Sequence, residues 1–181
     1  MNSLLTPEKV EKIQKEANAV LNMQENMSDP FKRVSAIAIK NGIEILEADL
    51  FDISGALRRE GKVWKIYVNK QDSKQRQLFT IAHELGHYFI HKDDQDEFVD
   101  GQFIARNETQ KYLEQELEAN EFAGNLIMPE EAVRRCIPDT ISRDTIHAMA
   151  QQFGVSTMAM ETRLRNLGYD TKRCNTEQQA A

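Results

Sequence analysis

The sequence has few of the residues that mark secreted, fibrous or membrane-spanning proteins. Its 181 residues include only 2 cysteines, 4 prolines and 8 glycines, which argues against a disulfide framework and against a Gly/Pro-rich low-complexity chain. It contains no run of about 18 apolar residues, and its N-terminus lacks the apolar core of a secretory signal. We therefore expect a cytoplasmic protein with no membrane partner, in which Cys136 and Cys174 are reduced.

An excess of positive charge is also missing. The 23 lysines and arginines are outnumbered by 29 aspartates and glutamates, so the formal net charge is −6. Proteins that bind nucleic acids usually present a basic surface to the phosphates, and direct binding to nucleic acid is therefore not expected. A hydrophobic fraction of 40% instead indicates a globular chain with a buried core.

Breaks in the sequence pattern predict an α+β protein. Thr6-Pro7 and Asp29-Pro30 are typical helix starts and predict two N-terminal helices. The segments IEILEADL, ISGALRRE and KVWKIYVNK then predict a small antiparallel sheet of about three strands. A helix from near Lys74, an acidic loop, a long helix that ends before Pro129 and two or three short helices are expected to follow.

The helix that begins near Lys74 has two chemically different sides. One side carries apolar residues that should pack on the sheet, namely Leu78, Ala82, Leu85 and Phe89. At about 100° per residue, His83 and His87 lie nearly opposite this stripe. We therefore expect one side of the helix in the core and the other at a functional site.

The strongest chemical signal is the run His83-Glu84-Leu85-Gly86-His87. Histidines four residues apart lie on successive turns of a helix and can bind one zinc ion through their ring nitrogens. Zinc lowers the pKa of a bound water, and a glutamate between the histidines can accept the proton as a general base. The motif predicts a hydrolytic zinc site with His83 and His87 as ligands and Glu84 as the catalytic residue. The alternative is that both histidines are ordinary surface or core residues.

A hydrolytic zinc site usually has three protein ligands, so a third ligand is required. His91 is the nearest candidate in the sequence. An unbroken helix, however, places it about 12 Å along the axis from His83, which is too far for a compact site. We expect His91 to lie beside a ligand or at the surface.

The long helix before Pro129 supplies a better third ligand. Glu116 shares a helix face with Ala119 and Asn120, whose small side chains would allow close approach to the histidine helix, whereas Glu118 lies on another face. We predict Glu116 as the third metal ligand, with Glu118 as the alternative. Asn120 is either a hydrogen-bond partner that orients a ligand or a helix-packing amide.

The two motifs together resemble a known family. QLFTIAHELGHYFIH followed by ELEANEFAGNLIMP is similar to the ImmA/IrrE zinc metallopeptidases, whose signature is HExxH followed by a stretch like ExEANxFAxxLLMP. The resemblance matches His83, Glu84 and His87 position by position, and it matches both glutamates of ELEAN to acidic positions. It implies a gluzincin-like active-site helix, one Zn²⁺ ion, and a protein substrate that is a helix-turn-helix transcriptional repressor.

We therefore expect one metallopeptidase domain in residues 1–170. Its parts are N-terminal helices in 1–40, a catalytic core in 41–128 with the sheet packed on a zincin-like helix, and C-terminal helices in 129–170. Residues 171–181 lack an apolar period and should form a disordered tail.

The C-terminal segment around Gly154 has two interpretations. It could form a DNA-binding helix-turn-helix, but the second helix offers only Arg163 and Arg165 as basic groups. Two helices packed on the peptidase core by apolar side chains are the preferred interpretation. The packing residues would be Met149, Phe153, Val155, Met160 and Leu164.

Other functions remain compatible with the sequence. A non-catalytic regulator could bind a repressor or DNA and use zinc structurally, although such a site usually has four ligands and needs no Glu84. An amidase that acts on a small molecule would use the same motif. Tyr88, His91 and Arg106 are candidates for an oxyanion stabiliser. An extended peptide could add to the sheet edge near KVWKIYVNK.

Overall fold

A computed structural model of the chain describes residues 5–22, 29–99, 109–138 and 140–171. Its helices are α1 (Pro7–Asn22), α2 (Pro30–Lys40), α3 (Lys74–His91), α4 (Thr109–Ile127), α5 (Glu130–Cys136), α6 (Arg143–Phe153) and α7 (Thr157–Asn166). Its strands are β1 (Ile43–Ala48), β2 (Gly55–Glu60), β3 (Val63–Asn69) and β4 (Glu97–Val99). The predicted α+β class is confirmed. Arg106, Cys174 and residues 172–181 of the predicted tail lie outside the described residues.

Local capping explains where two of the helices begin. Asp29 accepts a hydrogen bond from the backbone N–H of Phe31 at 2.9 Å, which satisfies a free donor of the first turn of α2. Ser73 accepts one from the backbone N–H of Arg76 at 3.2 Å at the start of α3. These short-range contacts are readable in the sequence, and the predicted starts of both helices are confirmed.

The chain divides into two compact units, Met1–Ile127 and Met128–Ala181. The first unit holds α1 to α4 and the sheet, and the second holds α5 to α7. In the part of the chain that the structure describes, no helix is both long and apolar enough to cross a lipid bilayer.

The strands form one mixed sheet in the order β1-β3-β2-β4. β3 pairs antiparallel with β2, but it pairs parallel with β1, so the predicted antiparallel sheet needs correction at this edge. β4 pairs antiparallel with β2 and lies in the segment that was predicted to be an acidic loop. The sequence pattern does not predict the parallel pair or β4. Strand order depends on distant partners rather than on local periodicity, and so does the pairing of a strand of only 3 residues.

β3 is a central strand of this sheet. Its neighbours β1 and β2 pair with it on both sides, so an extended peptide cannot add to β3 itself. Among the described strands, β1 and β4 are at the two edges. An extended peptide could therefore pair only with one of these two strands.

α3 is buried on both of its sides. Three residues of the predicted apolar stripe are buried: Leu78, Ala82 and Leu85. The ring of Phe89 stacks on Phe122 of α4, with 5.6 Å between the ring centroids. On the other side, His83 and His87 are only 4% and 1% exposed. Because α4 packs along α3, the helix that carries the motif lies between the sheet and a second helix.

In the second unit, α6 and α7 are joined by a tight turn. Gly154 ends α6 in the left-handed conformation (φ 66°), and Ser156 caps α7. All five predicted packing residues are buried: Met149, Phe153, Val155, Met160 and Leu164. Arg163 is also buried and donates from Nε to the carbonyl oxygen of Met128 at 3.0 Å. One of the two basic groups of this helix therefore stabilises the unit, which favours packing over DNA binding.

Candidate metal centre

The site is built where α3 and α4 approach each other closely. A Cβ atom added to Gly86 would lie 2.9 Å from the Cα atom of Ala119 and 3.0 Å from its carbonyl oxygen. Only glycine permits this backbone contact, because real Cβ atoms essentially never come so close. The small residues that the sequence analysis identified on α4 therefore do allow close approach to the histidine helix.

Three predicted site residues converge across this contact. The Nε2 atoms of His83 and His87 are 3.0 Å apart. The carboxylate of Glu116 lies 3.4 Å from Nε2 of His83 and 3.3 Å from Nε2 of His87. One candidate ligand atom from each residue lies within 4.8 Å of the others, a spacing that could hold a metal ion.

The outer nitrogen of each histidine ring faces another side chain. Nδ1 of His83 lies 3.1 Å from the amide oxygen of Asn120, so this nitrogen donates the hydrogen bond. Nδ1 of His87 lies 3.3 Å from Nδ1 of His91, which is buried. Asn120 and His91 thus both contact a predicted ligand, as the sequence analysis proposed among its alternatives.

Glu118, the alternative third ligand, points elsewhere. Its Oε2 atom lies 2.7 Å from Nε2 of His91, and its Oε1 atom accepts a hydrogen bond from the Lys9 ammonium at 2.8 Å. The two glutamates are two residues apart on α4 and therefore face different neighbours. Glu116 is the glutamate that the structure brings to His83 and His87.

The charge state of the converging groups suits a cation. Burial lowers the pKa of His87 from 6.5 to about 4, against the smaller opposing effect of Glu116, so the ring is neutral near pH 7. With Nδ1 of His83 donating to Asn120, its Nε2 presents a lone pair towards the Glu116 carboxylate.

Glu84 is fully buried on α3, beside the first residue of β2. A Cβ atom added to Gly55 would lie 3.0 Å from Oε1 of Glu84 and would collide with Cγ2 of Thr80. Gly55 therefore makes room for the Glu84 carboxylate. Gly55 is not among the predicted site residues, because its only signal in the sequence is a glycine at the start of a strand.

Phe98 of β4 forms one wall of the site. Its ring stacks on that of His87, with centroids 4.6 Å apart and an angle of 19° between the planes. Phe98 is not among the predicted site residues, because the sequence pattern predicts a loop in this segment. The contact brings an edge strand of the sheet next to the candidate ligands.

Tyr88 makes contacts outside the group of converging ligands. Its ring lies edge-on to that of Trp64, with centroids 5.9 Å apart, and the ammonium of Lys92 lies 4.7 Å from its centroid. These contacts give Tyr88 a packing role. Arg106, another candidate for the oxyanion stabiliser, lies outside the described residues.

Comparisons with known proteins match both the sequence and the fold. The family described as the IrrE N-terminal-like domain matches residues 38–165. Metallopeptidase ImmA of Bacillus subtilis (strain 168) is 30% identical over 133 residues, which are 72% of this chain and 74% of that protein. A solved structure of a Mycobacterium tuberculosis transcriptional regulator superposes with a TM-score of 0.63 at 16% identity, over 90% of this chain. This chain spans about half (49%) of that protein's length.

A sheet-packed helix with the HExxH motif, faced by a glutamate from a neighbouring helix, defines the class of metallopeptidase-like proteins. Within this class, the chain belongs to the ImmA/IrrE family, as its two motifs predicted.

Proposed function

We propose that this protein is a zinc-dependent endopeptidase that hydrolyses a peptide bond in a protein partner. The observation that carries this proposal is the convergence of His83, His87 and Glu116 within 4.8 Å, next to the buried Glu84. Membership of a family that includes a named metallopeptidase supports the reaction class. Its place of action would be the cytoplasm.

His83, His87 and Glu116 would hold the ion as two nitrogen ligands and one oxygen ligand. Three protein ligands with a fourth position left for water or substrate are typical of catalytic zinc sites. A zinc ion held by these three residues would supply Lewis-acid chemistry, which lowers the pKa of a water molecule and polarises a substrate carbonyl group. Asn120 would keep the imidazole ring of His83 in the orientation that ligation needs.

Glu84 would act as the general base and then as the general acid. Its carboxylate would accept a proton from the attacking water and deliver it to the nitrogen of the leaving amine. A structural zinc site in a non-catalytic regulator would have no use for this residue. Full burial of Glu84 beside Gly55 supports a role that requires a fixed position and exclusion of bulk water.

An extended substrate would pair with β4. This strand is at one edge of the sheet among the described strands, and its Phe98 stacks on His87. Backbone pairing along β4 would therefore carry the peptide past the ligands. A peptide bound to the inactive Glu84→Gln variant should perturb the amide signals of Glu97–Val99; perturbation confined to β3 would exclude this binding mode.

The family resemblance suggests a helix-turn-helix transcriptional repressor as the protein substrate. We also propose that residues 1–170 act together as one metallopeptidase domain, since the family match from residue 38 to residue 165 includes parts of both compact units.

Replacement of Glu84 by glutamine tests the proposed reaction. The variant keeps the shape of the side chain but cannot accept the proton, so zinc should remain bound while hydrolysis stops. Each protein is co-expressed with the repressor encoded beside its gene, and cleavage products are identified by mass spectrometry. Glu131→Gln, the same change at an exposed position of α5, is the matched control and should cleave like the wild type.

The result separates three outcomes. A fragment that forms with the wild type and with Glu131→Gln, but not with Glu84→Gln, supports the peptidase. Equal cleavage by all three proteins would overturn the role of Glu84. Binding of the repressor without cleavage by any of them would favour the non-catalytic regulator.

A further inference from the structure

A chain of polar side chains, buried at its two histidines, extends away from the candidate ligands, and the proposed reaction does not use it. It runs from His87 of α3 to His91 one turn later, then to Glu118 of α4 and finally to Lys9 of α1. The successive distances are 3.3 Å between the two Nδ1 atoms, 2.7 Å from His91 Nε2 to Glu118 Oε2, and 2.8 Å from Lys9 Nζ to Glu118 Oε1.

The carboxylate of Glu118 determines the direction of the hydrogen bonds in this chain. Its Oε1 atom accepts a hydrogen bond from the Lys9 ammonium at 2.8 Å, and a carboxylate in such an ion pair carries its negative charge. An ionised carboxylate only accepts hydrogen bonds. The proton between His91 and Glu118 therefore lies on Nε2 of His91.

The direction of the next hydrogen bond follows from the first. A neutral imidazole has one N–H group and one lone pair, so Nδ1 of His91 becomes an acceptor once Nε2 carries the proton. Nδ1 of His87 must then donate to it. This leaves the lone pair of His87 on Nε2, the atom that lies 3.0 Å from Nε2 of His83 and 3.3 Å from Glu116.

Asn120 contacts Nδ1 of His83 in the same way as His91 contacts Nδ1 of His87. Its amide oxygen lies 3.1 Å from Nδ1 of His83 and leaves the lone pair of that ring on Nε2 as well. Two different partners, one on α4 and one on α3 itself, thus select the same tautomer at both candidate ligands. Two histidines that only packed in the core, without a bound metal ion, would not need to share one tautomer.

We propose that His91 and Glu118 are positioning residues that hold His87 in its Nδ1–H tautomer and thereby set the affinity of the metal site. Lys9 secures Glu118 from α1, so the first helix of the chain contributes to the site without contacting a ligand. This inference rests on the proposed function only in so far as a metal ion binds to His87.

His91→Phe is the direct test. Phenylalanine keeps a ring of similar size but removes both nitrogens, and loss of such an outer partner typically weakens metal binding about 10- to 100-fold. His91→Gln should retain more affinity than His91→Phe, because an amide can both donate to Glu118 and accept from His87. Zinc affinity is measured by competition with a chromophoric chelator, and circular dichroism checks that each variant is folded.

A second measurement reads the tautomer without any metal. In ¹⁵N-labelled metal-free protein, the ring-nitrogen shifts of His87 should report a proton on Nδ1 in the wild type and a mixture of tautomers in His91→Phe. Glu118→Gln should likewise weaken zinc binding and shift His87 towards a mixture of tautomers. Glu114→Gln is the matched control, because Glu114 also contacts Lys9 but has no contact with His91 among those described; it should leave both readouts unchanged.

Unchanged zinc affinity and an unchanged His87 tautomer in His91→Phe would overturn the proposal. Zinc binding that depends on His91, without cleavage of any repressor, would overturn the proposed function but not this inference. A wild-type protein that binds no zinc would overturn both.

Discussion

Gly86 of α3 and Ala119 of α4 are in backbone contact, and this contact sets the distance between the two helices that carry the candidate ligands. An added Cβ at Gly86 would be 2.9 Å from the Cα atom of Ala119. Gly86 lies between His83 and His87, and Ala119 follows Glu116 by one turn. Glycine is therefore required at position 86 by the packing of the two helices, independently of the zinc chemistry.

We expect Gly86→Ala to force α3 and α4 apart. Overpacking of this kind costs about 1–3 kcal/mol of folding stability, and the displaced Glu116 should lower zinc affinity by about tenfold or more. Urea unfolding and chelator competition measure the two effects. The matched control is Gly124→Ala on α4, where an added Cβ meets nothing within 4 Å and should be neutral or stabilising. Equal behaviour of the two variants would contradict the role of the contact.

Gly55→Ala should displace Glu84 and Thr80 without removing a ligand. We therefore expect zinc content to stay near the wild-type value while cleavage activity falls at least about tenfold, since the base is misplaced. Because the added methyl group collides with Cγ2 of Thr80, the double variant Gly55→Ala/Thr80→Ser should regain activity. If the second change brings no recovery, the collision is not the cause of the loss.

The wild-type protein should contain about one zinc ion per chain, and alanine at His83, His87 or Glu116 should lower the occupancy strongly. Glu118→Ala should weaken binding but reach full occupancy in excess zinc, because Glu118 contacts His91 rather than the ion. Metal analysis of dialysed protein, with and without excess zinc, measures both. Full zinc in Glu116→Ala together with none in Glu118→Ala would reverse the ligand assignment.

The metal-free protein should lose stability as the pH falls from 6.5 towards 4. The folded state holds the pKa of His87 at about 4, below the ordinary value of 6.5, so only the unfolded state binds a proton in this window. The loss amounts to up to about 3 kcal/mol. Urea unfolding at pH 7 and pH 5 measures it. His87→Gln should flatten the dependence, whereas His147→Gln, at an exposed position of α6, should not.

The sequence by itself was sufficient for the features that depend on near neighbours. The start of α2 follows from Asp29, whose side chain accepts from the backbone N–H two residues later, and the start of α3 follows from the change to a helical period at Lys74. The placement of His83 and His87 on one helix face follows from the helical period alone. The same period places Glu116 and Glu118 on different faces of their helix. The family motif is recognisable in the sequence alone.

Only the tertiary structure decided which residues surround the ligands. The strand order, the pairing of β4 and the stacking of Phe98 on His87 join segments that no local pattern relates. The contact between His91 and Glu118 joins residues 27 positions apart, and that between Lys9 and Glu118 joins residues 109 apart. The physical reason is that helical periodicity is set by bonds within a few residues, whereas these contacts form only when separate elements pack on a common core.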